Sequence, residues 1–238
     1  MDKIGKLIEI INNSKYIVFF GGAGVSTASG IPDFRSQNGL FNEDYIYPPE
    51  VILSHTFFMS NPKEFYKFYF DKMIYLDSKC NKCHTKLKEL EDKGILKAII
   101  TQNIDGLHEK AGSNNVYNLH GTIYKNHCIK CNKSYSLDYM IKNKDNLICS
   151  CGGTIKPDVV LYEEMLDEKT LNDSVNHIKK ADTLIIGGTS LNVYPAASLI
   201  NYFNGNNLIL INKTKTPYDN YATLVINDDI NKVFDKIK

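Results

Sequence analysis

Five short apolar runs punctuate the chain: 16–20, 95–100, 183–186, 208–211 and 222–226. Their Ile, Val, Leu and Phe residues are continuous rather than alternating. That pattern predicts strands buried on both faces, as in a parallel sheet. Each run ends in a glycine or polar loop: Gly21–Gly24, Thr101–Asp105, Gly187–Ser190, Asn212–Lys213 and Asn227–Asp229. Functional loops of parallel sheets gather at these C-terminal strand ends. Between the strands the apolar period lengthens to that of a helix. Residues 2–13 carry Ile4, Leu7, Ile8 and Ile11 at helical spacing. Asn61-Pro62 predicts a second helix start, with Asn61 as cap, Pro62 in the first turn and Glu64 completing a capping box. Phe65, Phe68, Tyr69, Met73 and Leu76 would line its buried face. Asn81 predicts the cap of a third helix running to Gly94, with Leu87 and Leu90 inward. Residues 123–156 break the pattern: they are polar, lysine-rich and cysteine-paired, and read as an insert held by metal.

Composition narrows the function classes. Lys plus Arg is 28 against 27 for Asp plus Glu, a net charge of +1. A dedicated nucleic-acid binder would carry a basic surplus. No apolar run approaches a membrane span, and the first residues lack the apolar core of a signal peptide. A cytosolic location is therefore expected. In that compartment six cysteines fit metal ligands or plain thiols better than disulfides. Cys128-x2-Cys131 and Cys149-x-Cys151, seventeen residues apart, can close a tetrahedral zinc site of four thiolates. Such a site is structural rather than catalytic. His127 is the substitute ligand should a cysteine of the second pair fall out of reach. Cys80 and Cys83 have no partner pair and read as ordinary helix or loop thiols.

Three segments carry candidate chemistry. Gly21-Gly-Ala-Gly24 follows the first strand, where glycine lets backbone approach a pyrophosphate at a helix N-terminus. Thr27 stands where the ordinary dinucleotide fingerprint needs glycine, and read alone the loop also fits a plain tight turn. Gln102, Asn103 and Asp105 offer donors and acceptors to a carboxamide, or cap a turn entering a helix. His120, one of six histidines, has the intrinsic pKa for proton transfer near neutrality.

The strings Gly22-Ala-Gly-Val-Ser26 and Ser29-Gly-Ile-Pro-Asp-Phe-Arg35 closely resemble the opening motif of the sirtuins. The likeness continues in order through Gln102-Asn-Ile-Asp105, Leu119-His-Gly121, Pro157–Glu164 and Gly188–Pro195. The resemblance implies an α/β fold: a Rossmann-type parallel sheet flanked by helices, with a small domain made of a zinc-ribbon insert and a helical insert. Residues 1–35, 94–122 and 157–238 would form the NAD-binding domain. Residues 36–93 would supply the cofactor loop and helical module, and 123–156 the zinc module.

The resemblance further implies that Gly22, Ala23, Gly24 and Ser26 meet NAD phosphates or ribose. Ile31, Pro32, Asp33 and Phe34 would border the nicotinamide pocket, with Arg35 ordering the loop above it. Asp105 would bind the nicotinamide carboxamide, beside Gln102. Asn103 would position ribose and a water, and Ile104 would add pocket wall. His120 would be the general base. Gly188, Thr189, Ser190 and Asn212 would touch the cofactor, with Asp229 near adenine. Val160, Leu161 and Tyr162 would close over an acyl-lysine stem, and Asn192 and Val193 would pair with the peptide backbone. Glu163 departs from the family's usual glycine and Tyr162 from its phenylalanine. The activity implied is NAD-dependent deacylation of protein lysines, with NAD consumed and zinc structural. The Tyr and Arg pair of the succinyl- and malonyl-preferring members is missing from Ser36–Asp44, so acetyl or longer apolar acyl groups are expected. Rival readings are a protein ADP-ribosyltransferase, an NAD-dependent oxidoreductase and a non-catalytic binding module.

Overall fold

The structure, a computed structural model, describes residues 2–34, 39–40 and 45–237. Arg35 and most of the Ser36–Asp44 segment therefore lie outside the described residues.

A six-stranded parallel sheet organises the larger part of the molecule. Its strands are β1 Ile17–Gly21, β2 Leu96–Thr101, β3 Val116–Asn118, β7 Thr183–Gly187, β8 Asn207–Ile211 and β9 Leu224–Ile226, in the order β3-β2-β1-β7-β8-β9. The order reverses between β1 and β7, which is where open α/β sheets place their ligands. The continuous apolar runs have a direct cause. Ile17 and Phe19 of β1 enter one core with Leu7, Leu87 and Phe234, while Val18 and Phe20 enter the opposite core with Ile178 and Leu199. The strands β7 and β8 divide their residues the same way.

Helices α1 Lys3–Asn13, α5 Lys82–Asp92 and α9 Ile230–Asp235 cover the first face, and α8 Glu168–Lys180 the second. Among the described residues no helix is long and apolar enough to cross a membrane. Asn81 caps α5 as expected, accepting from Cys83 N and His84 N, and His84 Nδ1 returns the bond from Asn81 N at 3.2 Å. Cys83 is fully buried in the core and Cys80 bonds the Leu107 carbonyl.

The smaller part holds α2 Pro49–Ile52, α3 His55–Ser60, α4 Pro62–Lys72 and α7 Leu137–Lys142 around a three-stranded antiparallel sheet. That sheet pairs β4 Gly121–Cys128 with β5 Ser134–Ser136 and β6 Ile155–Val159. One aromatic-rich core joins both inserts: Phe58, Phe65 and Tyr69 from the helices pack with Met140, Leu147 and Ile155. Short α6 Leu107–Lys110 follows the loop after β2.

Two helix details differ from expectation. The Asn61 side chain does not cap α4 but donates to Ser60 Oγ, because α3 ends at Ser60 and the chain turns directly into Pro62. Leu76 lies beyond the helix end and is half exposed.

His84 and His108 are buried with ring centroids 4.8 Å apart, and His84 Nε2 and both His108 nitrogens have no partner among the described residues. Burial lowers the His84 pKa from its usual 6.5 to about 4, and holds His108 well below its usual value. Below pH 6.5 the unfolded chain therefore takes up protons that the native state refuses. Stability present above that pH is lost as pH falls toward 4, by about 3 kcal/mol from His84 alone. Urea titrations between pH 6.5 and 4 should show this slope. His84→Gln, which can still close the capping box, should make it shallower and leave the His108 share; an unchanged slope would reject the assignment.

Candidate functional site

The loops after β1 and β7 meet backbone to backbone. Gly22 N donates to Gly187 O at 3.2 Å, and Gly24 N to Gly188 O at 2.8 Å. A Cβ on Gly24 would stand 2.8 Å from Gly188 Cα, and one on Gly188 would stand 2.4 Å from Val25 N. Gly188 also adopts φ +59, so both positions exclude side chains. Thr189 packs where a Gly22 side chain would be. Gly22 is therefore buried between the loops, directly behind the cavity-lining Ala23 and Gly24.

The expected helix after Gly24 is also absent. Residues Ala23–Val25 and Thr27–Ser29 form two successive 3-10 turns, closed by Gly30 at φ +83. With no helix starting at Gly24 to pack against β1, no glycine is needed at 27, and Thr27 Oγ1 instead bonds the Gly24 carbonyl. The loop offers backbone to an anion without an α-helix dipole behind it.

Above these loops lies a cavity of about 850 Å³ between the two parts of the molecule. Ala23, Gly24 and Ser26 line its floor with Gly188, Thr189 and Ser190. The loop after β2 adds Gln102, Asn103, Ile104 and Asp105. These groups share one polar network. Asn103 Nδ2 donates to Ser26 Oγ at 3.0 Å, and Ser26 Oγ donates to Asp105 Oδ2 at 2.6 Å. Leu107 N holds the other Asp105 oxygen at 2.9 Å. Burial raises the Asp105 pKa, while Ser26 and Leu107 pull it back. Gln102 Nε2 is buried with no partner among the described residues. A donor left bare at a cavity wall fits a ligand oxygen.

His120 follows β3 and enters the same cavity. Its Nδ1 stands 3.0 Å from the Gln102 carbonyl. A carbonyl only accepts, so Nδ1 carries the proton and Nε2 is left with a free lone pair. Burial lowers the His120 pKa and the Gln102 bond partly opposes this, so the ring is neutral near pH 7.

The remaining walls come from both parts. Ile31, Pro32, Asp33 and Phe34 line the cavity, together with Val160, Leu161 and Tyr162 and with Asn192 and Val193. Asn212, just past the end of β8, also lines it. Asp229 itself does not line the cavity, although its neighbours Asp228 and Ile230 do. Its carboxylate caps α9 through Asn231 N and Lys232 N and pairs with Lys213 at 2.9 Å. Sequence reading missed the apolar wall of Leu40, Leu53, Met73 and Val159, and the 214–217 stretch after β8. The latter carried a signal, since it follows a strand end as the other site loops do.

The segment 160–164 is held from behind. Tyr162 N donates to Leu53 O and Tyr162 O accepts from His55 N, while Val160 N donates to His120 O. Glu164 accepts from Lys156 Nζ, Leu161 N and the His55 ring. Glu163 sits at φ +75, a left-handed backbone that glycine adopts freely.

In the small module the Sγ atoms of Cys128, Cys131, Cys149 and Cys151 all lie within 4.8 Å of one another. Cys128–Cys151 and Cys131–Cys149 are 3.4 and 3.6 Å apart. Four sulfurs each about 2.3 Å from one tetrahedral metal stand about 3.8 Å apart, so the cluster suits a tetrahedral zinc that draws the four thiolates slightly together. His127 is not drawn into it, being bonded to Asp158. The cluster lies apart from the cavity wall, as a structural site would.

Comparisons with known proteins agree with this architecture. The family model described as "Sir2 family" matches residues 22–195. The chain is 57% identical to an NAD-dependent protein deacetylase of Clostridium acetobutylicum, covering 100% of this chain and 98% of that protein. It is 58% identical to the protein of the same name from Clostridium perfringens, covering 99% and 98%. A solved Sir2 variant with a deacetylated p53 peptide and 3'-O-acetyl-ADP-ribose superposes with a TM-score of 0.93 at 35% identity, covering 99% of this chain and 97% of that one. A Sir2–p53 peptide–NAD complex superposes at 0.89 with 36% identity, covering 99% and 97%.

Purified protein should carry about one equivalent of zinc by elemental analysis. Cys149→Ser should lose the metal and unfold the small module at lower temperature. Metal-free protein with unchanged melting would contradict a structural zinc.

Proposed function

The chain belongs to the Sir2 family, and we propose from that premise that it is an NAD-dependent protein lysine deacetylase. The observation that carries this reading is the bare Nε2 of His120 in a cavity it shares with the Asn103–Ser26–Asp105 network. NAD, consumed as co-substrate, supplies the ADP-ribosyl group that accepts the acyl group as nicotinamide leaves. The backbone of 23–24 and 188–190 holds the phosphates and ribose. Asp105 and Gln102 engage the nicotinamide carboxamide, with Ile31, Pro32, Phe34 and Ile104 as its apolar surround. Asn103 orients ribose and a water. Asn212 and Asp228 face the adenosine end.

Acyl-lysine enters from the side opposite NAD, between the two domains. Val160 and Tyr162 enclose its stem, and Asn192 and Val193 pair with its backbone on the other side of the cleft. An apolar passage suits a lysine whose charge acylation has removed. His120 Nε2 takes a ribose hydroxyl proton, and water completes the release of free lysine and O-acyl-ADP-ribose. Holding both reactants in one cleft supplies much of the acceleration. The relatives solved with acetyl-ADP-ribose and p53 peptide support deacylation over ADP-ribosyl transfer to protein. The apolar lining of the cleft supports acetyl or longer apolar acyl groups. A cytosolic location is part of this proposal, since clustered metal-binding thiols suit a reducing compartment.

Mass spectrometry of an acetyl-lysine peptide should show deacetylation only with NAD present, with nicotinamide released. His120→Ala should lower kcat roughly 10²–10⁴-fold without changing the melting temperature; a folded variant of normal rate would remove His120 from the mechanism. The pH profile of kcat/KM should have an acid limb whose midpoint lies below histidine's usual 6.5, because the base form persists to lower pH when burial lowers its pKa. A limb above 6.5 would contradict the neutral, buried His120.

A further inference from the structure

Among the described residues only three without glycine's freedom adopt the left-handed backbone: Asn132, Glu163 and Leu191. Two of them stand on opposite sides of the cleft proposed for the peptide. Leu191 is buried and its N–H bonds Thr189 Oγ1, so its own loop holds it. Glu163 has no such burial. Its carboxylate fixes it instead: one oxygen accepts from Thr56 N at 2.9 Å and from Thr56 Oγ1 at 2.7 Å. Those two bonds lower its pKa, so the carboxylate stays charged through the neutral range. Thr56 lies in the first turn of α3, where free N–H groups favour a carboxylate.

We propose that Glu163 is a positioning residue for the peptide: its carboxylate latches the 160–164 turn to α3 and so presets the strand edge on which acyl-lysine docks. The inference rests on the deacetylase reading and deepens it. Glycine at this position would reach the same backbone freely but would not be held there. Glutamate reaches it at a conformational cost and is then fixed by Thr56. The latch acts on the element that carries Val160 and Tyr162, and both line the cavity. Glu163 lines the same cavity, but its carboxylate bonds Thr56 and not the 22–30 or 101–105 loops assigned to the dinucleotide. Its effect belongs to peptide affinity, not to NAD affinity or the chemical step. Neighbouring Glu164 is tied to Lys156, His55 and Leu161 N, so it does not substitute for the lost bond to Thr56.

The test measures binding of a fluorescently labelled acetyl-lysine peptide by anisotropy, together with KM for peptide, KM for NAD and kcat. Wild type is compared with Glu163→Gln, Glu163→Gly, Thr56→Val and the Glu163→Gln/Thr56→Val double variant. Glu163→Gln and Glu163→Gly should weaken peptide binding several-fold, with KM for NAD and kcat within twofold of wild type. Thr56→Val should act in the same direction, and the double variant should be no weaker than Glu163→Gln alone. Unchanged peptide affinity in both Glu163 variants would overturn the latch. So would additive effects in the double variant, or a parallel rise in KM for NAD. A wild type that binds the peptide but releases no nicotinamide would overturn the deacetylase reading instead, and the anisotropy series would still judge the latch.

Discussion

The contact on which the molecule is organised is backbone against backbone. At the reversal of strand order, the loops leaving β1 and β7 press together with no side chain between them, Gly24 N reaching Gly188 O at 2.8 Å. This closeness makes a floor of peptide groups at the strand ends. It also fixes where Ser26 and Thr189 stand. Ser26 in turn joins Asn103 to Asp105, and the β2 loop carrying those residues accepts the His120 ring on the Gln102 carbonyl. The polar half of the cleft thus descends through a short chain of contacts from two glycines.

The other half has a different physical origin. The helical and zinc-binding inserts are each too small to bury a core alone. They share one, built from the phenylalanines and tyrosines of α3 and α4 and the apolar residues of the cysteine module. The four-cysteine cluster borders that core, and Cys128 at its edge lies on β4 where β4 pairs with β6. The strand β6 leads directly to residues 160–164, which are tied to residues 53–56 by Tyr162 and Glu163. The cleft is the gap between a rigid parallel sheet and this smaller, separately held unit.

Much of this architecture is legible in the amino-acid sequence. Strands β1, β2, β7 and β8 announce themselves because burial on both faces demands unbroken apolar runs. The edge strand β3 does not, since Val116-Tyr-Asn118 is short, half-buried and partly polar. The glycine loop is visible, but its pattern suggests a helix where two 3-10 turns occur, because glycine spacing alone does not dictate the conformation of the next turn. Asp229 and Asp228 differ by one position, and only the α9 cap decides which of them faces the cavity. Leu40, Leu53 and Met73 come from separate segments and meet only in three dimensions, so no local pattern could group them. The replacement of glycine by Glu163 is readable as a departure, but its bond to Thr56 joins residues far apart in the chain.

A crystal grown with NAD and an acetyl-lysine peptide tests the central claim most directly. The account predicts density for the pyrophosphate over the joined loops at Gly24 and Gly188, with the nicotinamide ribose beside His120 Nε2 and the acyl amide entering between Val160 and Val193. Density for the dinucleotide anywhere else, or a His120 ring turned away from the ribose, would contradict it.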